Sequence, residues 1–365
     1  MAVRDIDRRR QLVGPVGALR TFTKDDFTPD LAKQEFHLNW VIEQGITTGN
    51  GCLMTAAGGS EGYFMSDDEW RDQVTLAGSV ADGRVPIIAG IFELSAREAV
   101  KKAEFAARAG CDFVQVAPPH YMVPTHREVI EHFRLINDSV DIGIFAYNTP
   151  WANPMPGYDF REPVFEKFVE MENVVGVKWS ANDQKFALSM YRLFADKLNF
   201  IDNDMPSALS LPAKLGARGF VNSDLLAAPR FVLHEWDLFR SDRFDELDEL
   251  LLRTYVDPFL GLAEPEDIVW ESMGEGPHAR AGMEALGLEM GPAFPAQQPL
   301  SEDSLRRIRE GYRHSGIAAW VDWREELWEV HRNRKRHPAP RPRDRASSVP
   351  SDAAWTQPRI YRGSD

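Results

Sequence analysis

Asn173-Val174-Val175-Gly176-Val177-Lys178-Trp179-Ser180 reads as a short apolar strand that ends on a single lysine. Valines on both sides of the pleat suit a strand buried on both faces, as in a parallel sheet. A lone lysine at the exit of such a strand is unusual. Burying an ammonium is costly unless it is paired or gives up its proton. Losing the proton is what a Schiff-base lysine must do, because only the neutral amine attacks a carbonyl. The octapeptide by itself favours the plainer reading, a lysine that snorkels at a strand end and meets a neighbouring carboxylate. The rest of the chain reverses that preference.

The same unit recurs on both sides. Apolar strand-like runs fall at residues 13–19, 51–56, 85–90, 113–117, 142–147, 174–178, 199–202 and 219–222. Each is followed by a helical pattern: 30–44, a helix capped by Ser66 with Glu69 as its capping-box partner, 95–109, a helix from Thr125 with Glu128 as partner, 162–170, 183–195, 206–215 and 229–239. Strands alternating with helices imply a parallel sheet. Eight such units in about 230 residues match an α/β fold of the (β/α)8 TIM-barrel type, with an open doubly wound sheet as the alternative. Further helices are expected at 243–255, 278–286, 301–314 and 318–332. The domain reading is a barrel over 1–240, a C-terminal helical extension over 241–317, and an extra helix with a basic Pro/Arg-rich tail over 318–365. Trp355, Ile360 and Tyr361 are unexpected in a purely solvating tail and suggest docking.

Composition narrows the function. The 365 residues are 43% hydrophobic and 27% charged, which supports a large core, and the net charge of −14 argues against nucleic acid as a partner. The charge is uneven: nine Lys/Arg and three Asp lie from His331 onward, so that segment carries +6 and the rest −20. Cys52 and Cys111 sit in apolar contexts and read as buried reduced thiols. The first eleven residues are rich in Arg and Asp and lack an apolar run, and no stretch approaches the ~18 apolar residues of a membrane span. The expectation is a cytoplasmic protein with no membrane partner. No His/Asp/Glu cluster has ligand spacing, so neither a metal nor another cofactor is expected.

In a barrel of this kind, chemistry sits where strands give way to helices. The second strand leads to Gly58-Gly59-Ser60-Glu61, the fourth to His120-Tyr121, the fifth to Tyr147-Asn148-Thr149-Pro150-Trp151, and the sixth to Lys178. These are the groups imine chemistry needs: an amine, a phenol to relay protons, and a Gly-rich turn whose amides can face a carboxylate. Taken singly each has a plain alternative. Gly58-Gly59 is a turn, Tyr147 is a β-former, His120 and Tyr121 are loop packing, Asn148-Thr149-Pro150 is turn chemistry, and Glu61 is a carboxylate binding loop amides. Together they lie at one end of the inferred barrel.

The order and spacing resemble the dihydrodipicolinate synthase / N-acetylneuraminate lyase family of class I, Schiff-base aldolases. The likeness spans roughly 13–317. It rests on Ala57-Gly58-Gly59-Ser60-Glu61 with Ser66 and Glu69, Pro119-His120-Tyr121, Tyr147-Asn148-Thr149-Pro150, Val175-Gly176-Val177-Lys178, Gly216-Ala217-Arg218-Gly219 and Pro299-Leu300-Ser301-Glu302. The resemblance implies that Lys178 condenses with the keto group of pyruvate or a related 2-oxo acid. Tyr147 would relay protons beside it, and the Gly58-Gly59-Ser60 turn would hold the carboxylate. Tyr121 would reach toward the site of a neighbouring subunit in a homodimer or homotetramer. The chain also departs from the pattern. The family's two loop threonines fall on Gly58 and Gly59, with Ser60 as a candidate replacement hydroxyl. Trp151-Ala152-Asn153 stands where dihydrodipicolinate synthases carry an arginine, which argues against that activity. Phe64, Phe92, His120, Trp151, Asn153 and Trp179 then read as an aromatic pocket for an apolar or aromatic aldehyde partner. The leading expectation is an aldolase or hydratase-aldolase. The alternatives are a dehydratase of a 2-keto-3-deoxy acid and a non-catalytic binding or regulatory protein.

Overall fold

The computed structural model describes residues 8–154, 157–204, 208–259, 271–272 and 275–333. The expected tail over 334–365, with Trp355, Ile360 and Tyr361, lies outside the described residues, as does the start of the helix expected at 206–215. Eight parallel strands close into a barrel in chain order: β1 (Gly14–Ala18), β2 (Cys52–Thr55), β3 (Ile87–Ile91), β4 (Phe113–Val116), β5 (Gly143–Tyr147), β6 (Val174–Trp179), β7 (Asn199–Asp202) and β8 (Gly219–Val221). β8 pairs back onto β1, with Gly14 opposite Gly219, so no sheet edge is left open. The fold is therefore the TIM barrel the alternation implies.

The helices between strands are α1 (Leu31–Glu43), α2 (Asp67–Ala81), α3 (Ala96–Ala109), α4 (His126–Ser139), α5 (Glu162–Glu170), α6 (Gln184–Phe194), the short α7 (Leu211–Lys214) and α8 (Pro229–Arg240). Their starts obey local chemistry. Ser66 and Glu69 form a reciprocal capping box at α2, and Thr125 and Glu128 form another at α4. Asp30 and Asp183 accept from the N–H groups of Lys33 and Phe186 at the starts of α1 and α6.

Strand alternation divides the core in two. Val16, Cys52, Met54, Ile88, Phe113, Phe145, Val175 and Ile201 fill the barrel interior. The opposite faces pack against the helices in one continuous cluster that includes Leu53, Val114, Ile144, Val177 and Phe200. Both cysteines are buried and free.

Beyond α8 lie α9 (Phe244–Leu251), α10 (Gly276–Ala285), α11 (Glu302–His314) and α12 (Glu325–Asn333). Two expectations change here. The helix expected over 243–255 is α-helical only to Leu251 and continues as a π turn over Leu252–Val256. The helix expected over 318–332 is interrupted: a 3-10 turn at Ile317–Trp320 precedes extended residues, and α12 starts at Glu325. The break has a physical cause. The N–H groups of Asp322 and Trp323 both donate to Ala227 O, at 3.1 and 3.3 Å, in place of helical bonds. Asp322 also pairs with Arg230. The turn seats the Trp323 ring against His37 and Trp40, with centroids 5.0 and 5.2 Å apart.

Candidate active site at the barrel mouth

β5 and β6 are neighbours, and their register sets Tyr147 directly beside Lys178. Lys178 Nζ lies 4.0 Å from the centroid of the Tyr147 ring. Lys178 is 6% exposed and Tyr147 3%, and no described carboxylate forms an ion pair with the lysine. Burial is the main force on the amine and pushes its pKa down to about 8. Glu275 opposes that fall, and Arg20 adds to it. Burial likewise drives the Tyr147 phenol well above its ordinary value, so it stays protonated and able to donate. Asn148 holds this pair in place. Its amide donates to Asp159 and to Ser180 O, at 2.8 and 2.7 Å, and its carbonyl accepts from Phe160 N–H. The loops after β5 and β6 are thereby tied together.

The turn after β2 is a short 3-10 helix, Gly58–Ser60, buried throughout. Ala56 and Glu61 flank it with left-handed φ values of 48° and 59°, a strained conformation for residues with side chains. Glu61 does not bind loop amides as expected. It pairs with Arg280 of α10 at 2.7 Å, both groups being almost fully buried. Gly276 makes that docking feasible, since a Cβ there would run into Glu61 and Gln297. The Ser60 hydroxyl, the candidate replacement, donates to Met54 O of β2 at 3.4 Å.

Three functional candidates escaped the sequence reading. Arg20, just past β1, donates through Nη1 to Gly59 O. Glu275, immediately before α10, places Oε1 3.9 Å from where a Gly58 Cβ would be, and its N–H lies 3.4 Å from Tyr63 Oη. His278 of α10 lines the same chamber as Arg20 and Glu275, about 380 Å³ in volume, together with Asn222, Ser223 and Asp224. Burial and the nearby Arg20 lower the His278 pKa, and Glu275 acts against them. Behind the chamber, Asp224 accepts from Tyr255 and Tyr312 at 3.1 and 3.3 Å, and Asn222 donates to Glu235 at 2.8 Å. Nothing in the linear sequence near Gly276 signals this approach; it exists only because α10 docks on Glu61.

The expected aromatic pocket is therefore corrected in part. Trp179 faces away from the mouth. It is 1% exposed, packs between Phe165, Phe186 and Phe200, and donates to Ala187 O at 3.2 Å. With Lys178 inward, the period of two sends its neighbour outward. The Asn153 amide is spent on bracing the β4 loop, donating to Pro119 O and Met122 O at 3.1 Å. Phe92 does reach the mouth, 3.6 Å from a Cβ at Gly58, and meets Tyr63 edge-on at 5.9 Å. Phe64 stacks on Phe294 at 6.5 Å. Trp151 meets the Tyr147 ring at 6.0 Å but is half exposed, His120 is half-buried, and Tyr121 is 78% exposed.

A closed parallel barrel with a buried lysine and tyrosine on adjacent strands defines the class of protein, and comparison with known proteins agrees. The sequence profile of the Dihydrodipicolinate synthetase family matches residues 18–232, and the chain belongs to that family. It is 31% identical over 191 residues to the 4-hydroxy-tetrahydrodipicolinate synthase of Hyphomonas neptunium, a match covering 52% of this chain and 64% of the relative. The chain thus spans just under two thirds of that relative's length. The dihydrodipicolinate synthase of Acinetobacter baumannii, solved with pyruvate, superposes with a TM-score of 0.71 at 22% identity, covering 84% of this chain and 99% of that one. YagE of E. coli K12, also in complex with pyruvate, gives 0.71 at 18% identity, with 84% and 99% covered. At such identities these two structures speak to the fold. No helix among the described residues is long and apolar enough to cross a membrane.

Proposed function

We propose that the chain is a lyase that forms an imine between Lys178 and a 2-oxo acid and makes or breaks a C–C bond next to it. The observation that carries this reading is the Lys178–Tyr147 pair: a buried amine with its pKa near 8, with no ion pair among the described residues, 4.0 Å from the ring of a phenol held protonated. The neutral amine attacks the keto carbon, and the carbinolamine loses water as the Tyr147 phenol relays protons to and from it. The iminium then draws electrons from the bond to C3. Loss of a C3 proton gives an enamine that adds to an aldehyde, and hydrolysis of the new iminium frees the product and restores Lys178. The amides of the Gly58-Gly59 turn face the substrate carboxylate. The pyruvate bound by the Acinetobacter and E. coli relatives supports the choice of 2-oxo acid.

With no arginine at Trp151-Ala152-Asn153, the reaction is not that of a dihydrodipicolinate synthase. Trp179 no longer counts toward an aromatic pocket, while Phe92 and Trp151 still do, and Tyr63 joins them beside Phe92. A second reading has its own observation. Glu275 brings a carboxylate to the mouth. It can take the C3 proton of a 2-keto-3-deoxy acid held as the same iminium, and the enamine then expels the C4 hydroxyl as water with a proton from Tyr147.

The test is a turnover screen with pyruvate and a panel of aliphatic and aromatic aldehydes, run beside 2-keto-3-deoxy acids. Lys178→Ala should abolish turnover and Tyr147→Phe should slow it by about 100-fold or more. A fully active Lys178→Ala variant would sink the mechanism, and a screen silent for every pair would favour a binding role. The exposed Tyr121, Met122 and Val123 beside the mouth support an assembly in which a second copy covers them. Sedimentation of Tyr121→Ser, Met122→Ser should show a weakened dimer if so.

A further inference from the structure

The two loop positions that lack side chains are not empty space. A Cβ at Gly59 would fall inside contact distance of Arg20 Nη1, and one at Gly58 would approach Glu275 Oε1 at 3.9 Å. Arg20, arriving from β1, thus occupies room that a side chain on Gly59 would need. Its partners are few. Nη1 donates to Gly59 O, Nε is buried without an acceptor, and Arg20 forms no ion pair among the described residues. A guanidinium is always charged and presents a fork of donors, so leaving part of it unsatisfied in a part-buried mouth is costly. The cost is recovered if a ligand supplies the acceptors.

The surroundings say which ligand. Arg20 heads the chamber of about 380 Å³ that it shares with Asn222, Ser223, Asp224, Glu275 and His278. Asp224 already takes the Tyr255 and Tyr312 hydroxyls. Arg20 sits on the Gly58-Gly59 turn through its bond to Gly59 O, and its charge reaches Lys178, whose pKa it helps to depress. A planar, bidentate acceptor within reach of an amine that attacks ketones is a carboxylate of the same molecule.

We propose that Arg20 is the specificity-determining residue that binds a substrate carboxylate, admitted to the mouth by Gly59. The proposal deepens the imine reading and rests on it for the identity of the substrate. Either of two carboxylates on a 2-oxo acid would satisfy the fork: that next to the keto group, or a second one further along the chain. Glu275 and Asp224 set the charge against which it binds, so Glu275→Gln should tighten the binding of anions.

Borohydride trapping on the full chain, read by intact mass, tests this with two substrate pairs. Pyruvate against its neutral amide, pyruvamide, reports on the carboxylate next to the keto group. 2-Oxoglutarate against 2-oxobutanoate reports on the remote one. Wild type should favour the acid in the first pair or the diacid in the second, and Arg20→Met should cut that preference by about tenfold or more. Arg20→Lys, which keeps the charge but not the fork, should fall between. Circular dichroism confirms that each variant is folded. A loss in the first pair assigns Arg20 to the adjacent carboxylate, and a loss in the second to the remote one. Arg20→Met with both preferences intact overturns the proposal while leaving the imine standing. If no compound traps on wild type, the imine reading fails. Binding of pyruvate and 2-oxoglutarate by calorimetry then decides the role of Arg20, which is wrong if Arg20→Met binds both as wild type does.

Discussion

A single lysine sets the pH behaviour at the residue scale. Its ammonium is disfavoured by burial, so the reactive neutral amine accumulates as pH rises through about 8. The rate of trapping at subsaturating 2-oxo acid should climb through that pH and level off above it. Glu275 stabilises the charged form, so Glu275→Gln should move the midpoint lower; an upward shift would contradict the placement of Glu275 over the site. The same desolvation bears on stability. The unfolded lysine titrates near 10.5, so below that pH the folded state carries an uncompensated cost, present in full below about 8. Lys178→Met should therefore stabilise the protein at pH 7 by about 1–3 kcal/mol, seen as a higher urea midpoint. Lys178 and Tyr147 were legible in the sequence because each stands at the exit of a short apolar, strand-like run. The outward turn of Trp179 follows from its parity with Lys178, a signal that the reading of Trp179 as a pocket residue passed over. Arg20 was not legible, because its place depends on a Cβ that Gly59 lacks, one helix and one strand further along the chain.

Elements that state their own ends were easy to read. The Ser66–Glu69 and Thr125–Glu128 boxes use side chains three residues apart, and both form as the spacing implies. Thr125→Ala should cost about 1 kcal/mol, measured as a lower thermal midpoint with the site unchanged. α10 is the opposite case. Its role comes from a long-range pair, Glu61–Arg280, and from the close approach of Gly276. Arg280→Met leaves Glu61 buried without its partner, a loss of about 3–5 kcal/mol. Gly276→Val should push α10 off the turn after β2 and take Glu275 with it, so turnover should fall even where the barrel remains folded. Wild-type turnover in a folded Gly276→Val protein would detach α10 from the chemistry. The break before α12 was similarly hidden, because the groups that end the helix lie on Ala227 and Arg230, far off in sequence.

For the molecule as a whole, the barrel was readable because eight repeats of one local pattern leave few ways to close. The packing of the segment after Ile317 onto α1 was not, since it depends on tertiary contacts of Phe36, His37 and Trp40 with Trp323 and Trp328. Trp323→Ala should cost about 3–5 kcal/mol. Buried histidines make the fold acid-sensitive. Burial depresses His37 and His132 to about 4, against about 6.5 when unfolded. Above pH 6.5 they are neutral in both states; as pH falls toward 4 the unfolded chain gains the protons first, and stability drops across that window. Urea midpoints that stay flat from pH 6.5 to 4 would contradict that burial.

All of these scales meet in the claim that Lys178 is the covalent centre. Borohydride reduction in the presence of pyruvate, followed by peptide mass spectrometry, tests it most directly. The account predicts one reduced pyruvyl adduct per chain, on Lys178. An unmodified Lys178 after treatment with pyruvate and other 2-oxo acids, or an adduct on a different lysine, would contradict it.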